Sequence, residues 1–153
     1  MMFKLNVLVL VLLIKVINAA VGKYVVSFEN TNWYQALINC KTSGMELASI
    51  HSEEEQTALE EYLKKNDHNK GYWLGGTKEG NGEYYWATTG IKMVYSKWLF
   101  MQPDNAKFDH NFNQGEHCVA WGMPTYSPTP AGWNDLTCSV SLPYICQRIE
   151  YCS

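Results

Sequence analysis

The chain has 153 residues, 46% of them hydrophobic, with 12 basic against 15 acidic residues and a formal net charge of −3. That length sets a single domain with one packed core as the expectation. No block of basic residues occurs, which argues against nucleic acid and against an anionic membrane surface as partners.

Residues 1–19 read as a secretory signal peptide: Lys4 supplies the positive start, 5–14 is apolar but for Asn6, and Ala19 is a small residue at the end. The apolar stretch is shorter than the roughly 20 residues of a membrane span, and Lys15 interrupts it. No membrane insertion is expected, and residues 20–153 are expected to form one secreted, extracellular domain with its core at about 24–148. Without Lys4 and Lys15, ten basic residues face fifteen acidic ones, a net charge of −5.

An alternating, β-branched run predicts a first strand over 24–28. Asn32 is placed to cap a helix over 33–43, in which Trp33, Ala36, Leu37 and Cys40 recur at i, i+3, i+4 and i+7 and mark one buried face. Gly44 suits the left-handed end of that helix. The short apolar run 47–50 reads as a strand. Ser52 and Glu55 then form a capping box. Glu53, Glu54 and Glu55 sit where a helix N-terminus favours negative charge, and Lys64 and Lys65 where its C-terminus favours positive charge. Leu59, Tyr62 and Leu63 give this second helix its inner stripe, and its charges read as a solvated face. Strands follow at 72–74 and 84–86 around a Gly80-Asn81-Gly82 turn, with closing strands at 117–121 and 144–148. Residues 88–115 carry few periodic signals, and a loop that long inside a compact domain is usually functional. Pro124, Pro128 and Pro130 stiffen another loop that leads to Gly132 and Trp133. Two early helices followed by strands and long loops indicate an α+β fold with the helices set apart from the sheet.

Five cysteines, Cys40, Cys118, Cys138, Cys146 and Cys152, follow the signal segment. Secretion favours disulfides, and five thiols form two bridges in fifteen ways with one left over. With no Cys-x-x-Cys pair, a zinc cluster or redox motif has little support. Gln102-Pro103-Asp104, Glu116 and Asn134-Asp135 offer hard oxygen donors, three of them carboxylates, on loops. That is donor chemistry suited to calcium.

The layout resembles the C-type lectin domain over roughly 24–148. The features that carry the resemblance occur in order: the two helices, Trp73-Leu74-Gly75-Gly76, Trp98, Gln102-Pro103-Asp104, Glu116-His117-Cys118, Trp133-Asn134-Asp135 and Tyr144-Ile145-Cys146. The resemblance implies a disulfide-stabilised fold of two helices, small antiparallel sheets and a long calcium-binding loop region. It implies bridges Cys40–Cys146 and Cys118–Cys138, with Trp73 in the core. It also implies one Ca2+ held by Gln102, Asp104, Glu116, Asn134 and Asp135, with sugar hydroxyls contacting Gln102, Asp104, Glu116 and Asn134. A cis Gln102–Pro103 bond is expected, turning Gln102 and Asp104 toward one point. The positions matching the family's auxiliary calcium, Thr77, Asn81, Asn105 and His117, largely lack carboxylates, so one ion is expected and not two.

Gln102 can donate a hydrogen bond to one sugar hydroxyl, while Asp104 only accepts. This order is similar to galactose-type members, whereas mannose-type members carry Glu-Pro-Asn. The long loop between Asp104 and Glu116 is a second galactose-type trait. Where galactose-type members often carry a stacking Trp, Ala106 stands here. Phe108 or Phe112 is the candidate to pack on the sugar instead, the alternative being that both only anchor the loop.

The implied function is calcium-dependent binding of galactose-type glycans on cells, microbes or glycoproteins, with innate immunity as one setting. The alternative on the same fold is a protein-binding module, such as a modulator of haemostasis or immunity, with little sugar binding. An enzyme is not expected: the grouped carboxylates are the metal ligands, and no Gly-x-Ser-x-Gly, His-Glu-x-x-His or phosphate loop occurs. His117, beside Cys118 in a predicted strand, reads as structural; His110 lies with Asp109 in the long loop. Cys152 falls outside both implied bridges, and either links two chains into a dimer or remains a thiol on the tail.

Overall fold

The structure, a computed structural model, describes residues 22–107 and 115–149. The signal segment, Phe108, His110, Phe112 and Cys152 lie outside the described residues. Strand β1 (Tyr24–Val26) leads into helix α1 (Trp33–Thr42), where the Asn32 side chain accepts a hydrogen bond from the Gln35 amide at 2.9 Å. Trp33, Ala36 and Cys40 are buried on its inner face, with Leu37 packed beside them. Gly44 takes up the left-handed conformation (φ 70°) that lets the chain turn back.

Helix α2 (Glu53–Lys65) starts at Ser52, whose hydroxyl accepts from the Glu55 amide at 3.2 Å. The expected box is not closed reciprocally. Glu55 reaches past Ser52 to accept from the His51 amide at 2.7 Å, and its other oxygen pairs with Lys23 at 2.7 Å. The buried stripe is Gln56, Leu59 and Leu63, with Tyr62 only partly buried. Gln56 enters the core because its amide is satisfied on both sides, accepting from Trp133 Nε1 at 3.0 Å and donating to Glu60 at 2.9 Å.

The strand expected at 47–50 is β2, Met45–Leu47. It pairs antiparallel with the last strand, β7 (Ile145–Arg148), which also pairs with β1, giving the order β1-β7-β2. The ladder ends where the Ser49 amide turns to the Gln147 side chain, at 3.1 Å. Ala48 and Ile50 remain buried without belonging to the sheet.

The second sheet has the order β4-β3-β5-β6, with β3 at Tyr72–Thr77, β4 at Tyr85–Trp86, β5 at Cys118–Trp121 and β6 at Trp133–Leu136. β3 runs longer than expected because Gly75 and Gly76 continue it through a crowded interior. A Cβ on Gly75 would stand 2.8 Å from the Leu47 carbonyl, and one on Gly76 would stand 2.6 Å from Val119 Cγ2. β6 corrects the reading of Asn134 and Asp135 as loop residues: Asn134 pairs with Ala120 and Asp135 with Val119 across β5. Asn and Asp are poor strand formers, so local propensity hid a strand that pairing with β5 imposes.

Trp133 is fully buried at the centre of an aromatic cluster, with Trp86, Tyr95 and Trp98 set nearly edge-on to it at centroid distances of 5.6, 5.8 and 5.8 Å. The chain from Lys97 to Leu99 is tied to the start of β6, the Trp133 amide donating to the Lys97 carbonyl and the Leu99 amide to the Trp133 carbonyl, both at 2.8 Å. The bridges are those the resemblance implied. Cys40–Cys146 clamps α1 to β7, and Cys118–Cys138 joins the start of β5 to the turn after β6.

Candidate metal centre

Asp135 is the anchor of the site. Its carboxylate is fully buried on β6 and accepts four hydrogen bonds. Oδ1 accepts from the Asp104 amide at 3.0 Å. Oδ2 accepts from the Asn105 amide at 3.0 Å, the Tyr84 hydroxyl at 3.1 Å and the Lys78 ammonium at 3.3 Å. A buried carboxylate persists only with such partners. Two of them are backbone amides of the segment that follows Pro103, so Asp135 docks that segment onto the sheet. The chain closes over it with a cis Gln102–Pro103 bond, as expected, and with Asn105 in the left-handed region (φ 51°), which Asn tolerates. The Ala106 amide then donates to Asp104 Oδ1 at 3.2 Å and to Glu116 Oε2 at 3.1 Å.

These contacts bring three of the five expected ligands together. Asp104, Glu116 and Asp135 each offer a carboxylate oxygen within 4.8 Å of the others. Asp104 is exposed, Glu116 half-buried and Asp135 buried, so the cluster opens from the sheet toward solvent. Gln102 and Asn134 adjoin it in sequence. Their side-chain oxygens Oε1 and Oδ1 are buried without a hydrogen-bond partner, as is Oδ1 of Asn105. Orphaned buried oxygens are costly and rare, so three of them on residues that adjoin Asp104 and Asp135 in sequence fit a cation-binding site of hard donors. Burial pushes the Glu116 carboxyl up to about 7, reinforced by its hydrogen bond with Asp104 and the negative charge of Asp135. Burial and the same carboxylates raise the Tyr84 hydroxyl well above its ordinary range.

Lys78 and Tyr84 were not legible as members of this site. Each lies far from the Gln-Pro-Asp run in sequence, and only the β3–β4 turn brings them onto Asp135. His117 sits outside the cluster, its Nδ1 paired with Glu79 at 2.6 Å, in keeping with a structural role. Phe108, the expected sugar-packing residue, lies outside the described residues.

The family model of the lectin C-type domain matches residues 29–148. The chain belongs to this family. Among its relatives, a protein named salivary C-type lectin 1 from Aedes albopictus is 35% identical over 124 residues, covering 77% of this chain and 76% of the relative. The carbohydrate-recognition domain of the mouse scavenger receptor C-type lectin matches with a TM-score of 0.62 and 28% identity over 84% of this chain and 90% of that one. Herring type II antifreeze protein matches as well, with a TM-score of 0.64 and 26% identity over 83% of this chain and 91% of that one. The C-type lectin fold is therefore shared with proteins of different names. The lectin relatives support a carbohydrate-binding role, and nothing among them indicates catalysis. Among the described residues, no helix is long and apolar enough to cross a membrane.

Proposed function

We propose that this C-type lectin binds galactose-type sugars in a calcium-dependent manner, as a secreted protein. The observation that carries the reading is the convergence of Asp104, Glu116 and Asp135 within 4.8 Å, supported by the unpartnered buried oxygens of Gln102 and Asn134, which adjoin them in sequence. All five are hard oxygen donors, the class calcium prefers. Gln102, Asp104, Glu116, Asn134 and Asp135 would hold the ion. Bound there, calcium supplies open coordination positions for two vicinal sugar hydroxyls and offsets the mutual repulsion of the carboxylates.

The protein's own side chains then choose the sugar. With its oxygen turned to the ion, Gln102 keeps an amide N–H2 free to donate, while Asp104 presents only acceptors. A hydroxyl pair that accepts on the Gln102 side and donates on the Asp104 side is therefore favoured. Asp135, docked by two amides, Lys78 and Tyr84, holds the Asp104 backbone in place through its amide. Single monosaccharide sites of this open kind are weak, and pairing of sites raises avidity. Glycans presented in arrays on cells, microbes or glycoproteins are the partners this favours, and a dimer linked through Cys152 is one way to pair sites.

A glycan array run with calcium and with EDTA tests the reading. Galactose-terminated glycans should be retained with calcium and lost with EDTA. The double change Gln102→Glu with Asp104→Asn should shift selectivity toward mannose. Calcium-independent binding, or selectivity untouched by the double change, would contradict it.

A further inference from the structure

Two apolar residues directly before Gln102 are exposed: Phe100 is 92% accessible and Met101 is 76% accessible. They form the tip of a tight turn over 99–102, closed by the Gln102 amide donating to the Leu99 carbonyl at 2.9 Å. The turn is held at its base, where the Leu99 amide donates to the Trp133 carbonyl. Its tip is therefore presented on a fixed stalk next to the candidate sugar site.

Met101 has φ 63°, the left-handed region. Glycine is the ordinary occupant of such a turn position, and a bulky residue there is strained. The strain has no offsetting burial, since the Met101 side chain lies in solvent beside an equally exposed Phe100. Strain without local compensation is characteristic of positions that serve binding. Here the position adjoins Gln102, whose buried Oε1 lacks a partner.

We infer that the Phe100–Met101 turn is an apolar subsite for the group attached to the sugar that Gln102 and Asp104 hold, and so reads the aglycone side of an extended galactoside. The inference rests on the proposed galactose reading and adds to it. A sugar held by two hydroxyls projects its remaining substituents past the site, and this exposed turn directly precedes Gln102 in the chain. The CH face of a second pyranose, or an aryl ring, packs on an aromatic face, and a thioether adapts its shape to either.

The test is calorimetric titration of the calcium-loaded protein with methyl β-galactoside and with 4-nitrophenyl β-galactoside, which share the sugar and differ in the attached group. An aromatic contact of about 1 kcal/mol corresponds to roughly fivefold tighter binding of the aryl glycoside. Phe100→Ala should bring the ratio of the two affinities close to one. Met101→Gly should lower the ratio and raise the thermal midpoint of the calcium-free protein by about 2–4 °C as strain is released. Equal affinity of the wild type for both glycosides, or a ratio that survives Phe100→Ala, overturns the subsite and leaves the sugar site intact. Failure of both glycosides to bind in calcium overturns the galactose reading and the subsite with it.

Discussion

Glu116 titrates where calcium binding would be felt. Its carboxyl is pushed up to about 7 by burial, by Asp104 and by Asp135, well above its free value. In the metal-free protein the protonated form is the favoured one below about pH 7. That contribution to stability is present at acid pH and is lost as pH rises through about 7. Calcium requires the ionised form, so affinity should fall as pH drops through about 7, with release of about half a proton per ion bound at pH 7, rising toward one at pH 6 and falling away by pH 8. Calcium titration calorimetry in buffers of different ionisation enthalpy measures that proton; zero release across pH 6–8 contradicts it. At this scale the candidate residues were legible, because Gln102, Asp104, Glu116, Asn134 and Asp135 advertise hard oxygens in family order, and three of them, Asp104, Glu116 and Asp135, converge in the structure. The partners of Asp135 were not. Lys78 and Tyr84 carry no local sign of their role, since long-range strand pairing alone delivers them to one carboxylate.

Among the elements, the helices were read well and the strands less so. Caps and a 3.6-residue period are local signals, and Asn32 and Ser52 act where expected. Glu55 differs because Lys23 and the His51 amide draw it one residue back, a tertiary effect invisible in the Ser-x-x-Glu spacing. Strand β6 was hidden because Asn134 and Asp135 are poor strand formers held in the ladder by pairing with β5. Strand β3 extends past the expected 72–74 through Gly75 and Gly76, whose missing side chains let β2 and β5 approach. Gly76→Ala should therefore destabilise the fold by about 1–3 kcal/mol through overpacking against Val119. Because Val119 faces Asp135 in register, the same change should also weaken calcium binding. Urea unfolding with and without calcium measures both effects.

For the whole molecule, the order of motifs sufficed to name the fold, and the two bridges closed as the resemblance implied. They should not contribute equally. Cys40–Cys146 closes a separation of 106 residues and Cys118–Cys138 one of 20. Chain entropy assigns these roughly 4–5 and roughly 3 kcal/mol respectively. Replacing Cys40 and Cys146 by Ala should lower the urea midpoint more than replacing Cys118 and Cys138. The shorter bridge sits at the root of the β5–β6 pair, so its loss should fall more heavily on calcium affinity. An inverted order in either measurement would show that native contacts, not loop closure, set each bridge's worth.

The pairing of β1 with β7 has one more outcome. Tyr24 lies opposite Gln147, so the path into the fold and the path out of it are neighbours on one sheet. Whatever precedes residue 24 and whatever follows residue 148 starts from the same small patch of surface. Such a domain behaves like a bead with a single eyelet: it can hang from a tether, or be inserted into a host chain, without being pulled open from opposite ends.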